Sequence, residues 1–129
     1  MTAKNQINML DIKSTFDHAF GNELHDKRKL SLSYAALGVL ESESLILHKI
    51  GAGMAEARGV DKKHATKQVD RLLSNPAYDI WDLSNTWVPH IVGCKKEITV
   101  ALDWTGFASD EQDTLALNLI TNKGSSTPL

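Results

Sequence analysis

Asp103 is the acidic residue whose setting best suits chemistry. It lies in Glu97-Ile98-Thr99-Val100-Ala101-Leu102-Asp103-Trp104-Thr105, where Ile98, Val100 and Leu102 alternate with Glu97, Thr99, Ala101 and Asp103. A period of two is the pattern of a pleated strand, and the β-branched content agrees with it. Gly106 is expected to help end the strand, which places Asp103 at the strand's end. There a sheet holds a carboxylate rigidly and the adjoining loop gives access to it. The same Asp beside Thr105 also reads as a turn cap whose oxygens satisfy loop amides. On pattern alone both readings are open, and the turn cap is the commoner one.

A second group of residues could handle phosphate. Lys63, Lys67 and Arg71 recur every four positions, which puts them on one stripe of a helix, with His64 and Gln68 beside it. Cations neutralise phosphates, while Gln68 or His64 could reach base edges. Asp70 dilutes the positive charge, and an amphipathic helix with solvated lysines is the alternative. The densest positive charge is Lys27-Arg28-Lys29, read either as a solvated helix start or as a phosphate contact. The chain as a whole carries a formal charge of -2, so any DNA contact must come from such a local basic face.

Other chemistries find little support. The histidines His18, His25, His48, His64 and His90 are scattered, without the spacing of a zinc site. No Ser-His-Asp set carries the local motifs of a hydrolase. Gly51-Ala52-Gly53 lacks the third glycine and the preceding strand of a dinucleotide fingerprint. A single cysteine, Cys94, excludes an internal disulfide framework, suits a reducing cytoplasm, and reads as structural rather than nucleophilic. No apolar run is long enough to span a membrane, and the N-terminus has no signal-peptide core.

The elements that must position these residues can be read from periodicity. Met1 to Gln6 are polar and expected to fray. Met9, Ile12, Phe16, Ala19 and Phe20 mark a first amphipathic helix, stopped by Gly21-Asn22. Asp26 leads a second, with Leu30, Tyr34, Leu37 and Leu40 on its buried side. After Ser42-Glu43-Ser44 a third helix turns Leu47, Ile50, Met54 and Ala57 inward. Gly51 and Gly53 weaken that helix but permit close helix contact. Gly59 makes a turn and Asp61 caps the helix Lys62 to Ser74, whose inward positions are Ala65, Val69, Leu72 and Leu73. A helix, a Gly-containing turn and a helix with a basic exposed stripe outline a helix-turn-helix over about residues 44–75. Asn75-Pro76 ends it. A connector follows (79–93), with Trp81 and Trp87 as its anchors. Thr114-Leu115-Ala116-Leu117-Asn118-Leu119-Ile120-Thr121 then supplies a second strand, forming an antiparallel hairpin with the Asp103 strand across the loop Ala108 to Asp113.

Val100-Ala101-Leu102-Asp103-Trp104-Thr105, with Thr114-Leu115-Ala116-Leu117 and Gly124-Ser125-Ser126-Thr127-Pro128-Leu129, resembles the DDE transposases of bacterial insertion sequences. The nearest group is the cut-and-paste family called insertion sequence four. Lys63-His64-Ala65-Thr66-Lys67-Gln68-Val69-Asp70-Arg71-Leu72-Leu73-Ser74-Asn75 resembles the same family, and the resemblance runs from about Leu24 to Leu129. It implies a mainly α-helical DNA-binding region (1–78), the connector, and the first two strands of a ribonuclease-H-like α/β domain (94–129), cut short. Asp103 would be the first of three metal-binding acids. The family's reaction is phosphoryl transfer with two divalent ions, normally Mg2+, which frees the element's ends and joins them to target DNA. The second Asp and the Glu have no counterparts here, and Asp110, Glu111 and Asp113 are not substitutes. Gly106 stands where many relatives carry an acid. The resemblance therefore implies about the first third of a transposase, inactive alone and binding Mg2+ weakly. Its expected partners are double-stranded DNA at element ends and a second copy or a full-length subunit, without a membrane. A non-catalytic DNA-binding fragment that inhibits transposition, or a decayed reading frame, are the alternatives.

Overall fold

The structure is a computed structural model that describes residues 7–108 and 111–129, apart from the side chains of Phe107 and Gln112. The expectation of fraying for Met1 to Gln6 lies outside the described residues. Among the described residues five helices are followed by a small antiparallel sheet, and the chain divides into two compact units, one ending at Asp79 and the other beginning at Ile80.

The first unit holds α1 (Met9–Phe20), α2 (Asp26–Ser42), α3 (Leu47–Arg58) and α4 (Lys62–Leu73). Helix α1 begins with a capping box: Asn8 Oδ1 accepts from the amides of Leu10 and Asp11, and Asp11 returns a carboxylate to the Asn8 amide. Gly21, at φ 47°, closes the other end. Helices α2 and α3 turn by 98° across residues 43–46, with Glu43 in the left-handed region at φ 48°. Gly59, at φ 64°, ends α3 and starts the three-residue turn to α4. Asp61 caps α4 by accepting the His64 amide at 3.0 Å.

Ile50, Met54, Ala55, Ala65 and Val69 form the core, with Tyr34, Val39, Leu47 and Val60 packed against it. The backbones approach closely because glycine faces them. A Cβ on Gly38 would stand 2.5 Å from the Ile50 carbonyl oxygen, and one on Gly53 2.6 Å from the Gly38 oxygen. A Cβ on Gly51 would collide with Thr66.

This close packing corrects the expected helix faces. Leu30 and Leu40 are exposed on α2, where Lys29, Ser33, Leu37 and Gly38 are buried instead, and Tyr34 is half-buried. Ala57 is exposed and Ala55 takes the inner position; Leu73 is exposed at the end of α4. Small residues line the tightest helix contacts, so a pattern of large apolar residues misplaces the buried face by part of a turn.

The second unit opens with α5 (Ile80–Val92), in the stretch expected to be a connector. Pro89 lies inside this helix and Ser84 Oγ donates back to the Ile80 carbonyl. No α5 residue is fully buried, and the Trp87 indole N–H donates to the Pro128 carbonyl at 3.3 Å. The sheet contains β1 (Thr99–Phe107), β2 (Gln112–Ile120) and β3 (Ser126–Pro128) in that order, all antiparallel. The hairpin expected from the sequence is present, but the sheet has three strands rather than two. A turn through Gly124, at φ 74°, brings β3 beside Asn118–Ile120. Pro128 is tolerated there because β3 is an edge.

Among the described residues, no single helix is long and apolar enough to cross a membrane.

Candidate functional site

Two places collect the residues singled out from the sequence. The first is the outer face of α4. Ala65, Val69 and Leu72 are buried, and Lys63, Lys67 and Arg71 lie exposed on a different face. The three cations carry no ion pair among the described residues, where the salt bridges involve Lys13 and Lys29 only. His64 is exposed beside the stripe. Gln68 is half-buried: its Oε1 accepts from Arg58 Nη1 at 2.8 Å and its Nε2 lies 3.2 Å from His64 Nε2. Gln68 is thus occupied on both ends of its amide, and reading a base edge would break those contacts. Asp70, also exposed, borders the stripe and reduces its local charge.

The basic triplet at the start of α2 is largely consumed by the fold. Lys29 Nζ, only 8% exposed, sits 3.0 Å from both Asp17 Oδ1 and Asp26 Oδ1 and donates to the Gly21 carbonyl at 2.9 Å. It ties the end of α1 to the start of α2. Its hydrogen bonds to Asp26 and then Asp17 push its pKa up. Asp17 is held below the usual carboxylate range by hydrogen bonds from Lys13 and then Lys29, and Asp26 by its bond from Lys29. Arg28 lies 5.9 Å from the Tyr78 ring centroid and donates to the Ala77 carbonyl at 3.2 Å. Tyr78 in turn donates its hydroxyl to the Arg28 carbonyl at 3.1 Å, and burial pushes its phenol pKa up. Of the triplet, Lys27 alone is left for a ligand.

The second place is the sheet around Asp103. Register puts Asp103 opposite Ala116, with Thr105 opposite Thr114 and Ala101 opposite Asn118 on the same face. Asp103 is therefore in the middle of β1, not at its end, because Gly106 continues the strand opposite Asp113. That position also removes the turn-cap reading. The carboxylate is exposed on a surface of small side chains, and Thr105 Oγ1 donates to it over a long 3.4 Å. Asp113 belongs to β2 rather than to the loop; Glu111 is in the turn at φ 50°, and Asp110 lies outside the described residues.

Divalent Mg2+ wants about six oxygen ligands in near-octahedral order, usually through one or two carboxylates and several waters. Asp103 brings one carboxylate, and no group of three or more His, Cys, Asp and Glu able to hold a metal occurs among the described residues. This donor set does not fit a pair of ions.

Arg58 was not singled out from the sequence. Its guanidinium stacks over the Tyr34 ring, 3.8 Å from the centroid, while it donates to Gln68. Its place one turn after Met54 on the same face, immediately before Gly59, was the signal available for it.

Compared with known proteins, the chain matches no family model, no curated protein and no solved structure.

Proposed function

We propose that this chain is the N-terminal part of a DDE transposase of the insertion sequence four type, and that its helical unit binds duplex DNA at the ends of the mobile element. The observation that carries the DNA reading is the α4 stripe: three cations in one line, without acidic partners among the described residues, on a helix anchored by its opposite side. Such a helix offers charge without reorganising its core. Lys63, Lys67 and Arg71 contact phosphates and fix the helix on the duplex, and His64, exposed and held only through the Nε2 that faces Gln68, meets a base edge by giving up that one contact. Asp103 contributes one carboxylate to a catalytic centre whose other acids come from elsewhere.

A second reading is a DNA-binding protein that does no chemistry. What favours it is that Asp103 belongs to no group of three or more His, Cys, Asp and Glu able to hold a metal among the described residues.

The test of DNA binding is a titration of duplex DNA at several salt concentrations, followed by fluorescence anisotropy. Replacing all three stripe residues by Gln should weaken binding and reduce the slope of log affinity against log salt by about 0.9 for each phosphate contact removed, close to 3 in all. Equal affinity and equal slope in the triple variant would show that α4 is only a solvated face.

A further inference from the structure

A groove of about 430 Å³ opens in the helical unit between α2, α3, α4 and the segment leading to Tyr78. Leu30, Tyr34 and Ala35 give it an apolar surface that reaches solvent, while Met54, Val69 and Leu72, also in its lining, are buried. Three cations from three different helices surround it: Lys27 from α2, Arg58 from α3 and Arg71 from α4. Among the described residues no aspartate or glutamate lines it, although acids outnumber Lys and Arg in the chain, 16 to 14. None of the three cations has an ion pair among the described residues. The charge is therefore concentrated at this place by the fold and not by composition.

The groove is also pre-organised. Arg58 is fixed from two sides by neutral partners, the Tyr34 ring at 3.8 Å and the Gln68 oxygen at 2.8 Å. These contacts hold a guanidinium in place without cancelling its charge, which is how an Arg is kept ready for a planar anion. Tyr34 and Tyr78 add aromatic walls. The volume lies in the range of small-molecule pockets, and it corresponds to roughly a dozen water volumes.

We propose that this groove binds a small aromatic anion, with its ring against the apolar surface of Leu30, Tyr34 and Ala35 and its carboxylate or phosphate among Lys27, Arg58 and Arg71. The apolar surface accounts for an aromatic body, and the three unneutralised cations account for an anionic head. Both halves are needed, since a free inorganic anion would leave the apolar surface wet and a neutral ring would leave the cations unpaired. This inference needs no DNA and stands apart from the function proposed above, although Arg71 belongs to both surfaces.

The full chain, labelled with 15N, is titrated with salicylate, with phenyl phosphate and with neutral salicylamide while amide shifts are recorded. Saturable shifts with either anion are expected around Leu30, Tyr34 and Ala35, with salicylamide at least about tenfold weaker. Lys27→Gln and Arg71→Gln replace exposed side chains and should retain the amide spectrum while weakening the anion about fivefold each. Lys123→Gln makes the same change in net charge within the other unit and should leave the affinity unchanged. Absence of saturation up to about 10 mM, equal binding of salicylamide, or equal weakening by Lys123→Gln would each overturn the proposal.

Discussion

Met54 and Val69 in the helical unit are each 2% exposed, whereas Leu102 and Trp104 on β1 leave 66% and 67% of their surface in solvent. Both pairs are large, apolar and correctly placed in periodic patterns. In the helical unit, side chains from α3 and α4 interlock around positions where glycine lets the backbones close in. In the sheet, register collects Val100, Leu102, Trp104, Leu115, Leu117 and Leu119 on one face, and of these only Leu119 is buried. Apolar periodicity thus tells which side of an element is apolar; it does not tell that the side is covered. Stability in the first unit comes from packing, and in the sheet it comes chiefly from strand pairing.

The largest expected effect tests this contrast directly. Met54→Ala should cost the helical unit about 2–5 kcal/mol, the range for deleting a buried methionine side chain. Leu102→Ala should cost about 0.5 kcal/mol or less, as at other exposed positions. Unfolding by denaturant, followed by helical circular dichroism and by Trp fluorescence, separates the two. Amide exchange sharpens the result: slow exchange is expected across residues 9–74 and fast exchange across 99–120. Equal protection in both, or a cost for Leu102→Ala rivalling that of Met54→Ala, would break the contrast.

A smaller effect is expected at glycine. Gly51→Ala should destabilise by about 1–3 kcal/mol through overpacking against Thr66, even though alanine is the better helix former by about 1 kcal/mol. Gly106→Ala, whose Cβ would meet the flexible Asp113 carboxylate oxygen at 3.1 Å, should change stability little. A stabilised Gly51→Ala protein, read from its thermal midpoint, would show that α3 and α4 have room to separate.

The smallest effect is one of pH, confined to the helical unit. Asp17 and Asp26 have lowered pKa values, so their contribution is complete above the ordinary value of 3.8 and is lost as pH falls from there. Lys29 has a raised pKa, so its contribution is complete below 10.5 and is lost as pH rises beyond it. Tyr78, also raised, adds to the alkaline loss above 10.0. Lys29→Met should flatten both limbs of the stability profile of the helical unit; identical limbs in the variant would mean that these ion pairs contribute nothing.

Much of the first unit was legible because its signals are local. Gly21, Asp61 and the Met9–Phe20 spacing define helix ends and faces through contacts within a turn or two. The hairpin was legible for the same reason, since alternation and register share a period. What escaped depended on partners distant in sequence. Lys29 looks like a surface charge until Asp17 on another helix meets it, and Leu40 looks buried until Gly38 brings α3 against the small-residue side of α2. Helix α5 was hidden by Pro89 and its tryptophans, which read as irregular chain. Strand β3 is three residues long, too short to carry a period. Of the candidate site, the α4 stripe was visible as a pattern; the commitment of Gln68 to Arg58, and of Arg28 to Tyr78, was not.

The glycine contacts between α2 and α3, and between α3 and α4, also set a gauge. Lys27, Arg58 and Arg71 are carried by three helices, and the spacing of those helices is fixed by Gly38, Gly51 and Gly53 rather than by any charged residue. A methyl group added at residue 51 would act as a shim, pushing α4 outward and carrying Arg71 away from Arg58 while leaving every charge in the chain unchanged. Ionic geometry in this unit is therefore calibrated by residues that have no side chain, and a change in one of them would be felt as a change in electrostatics.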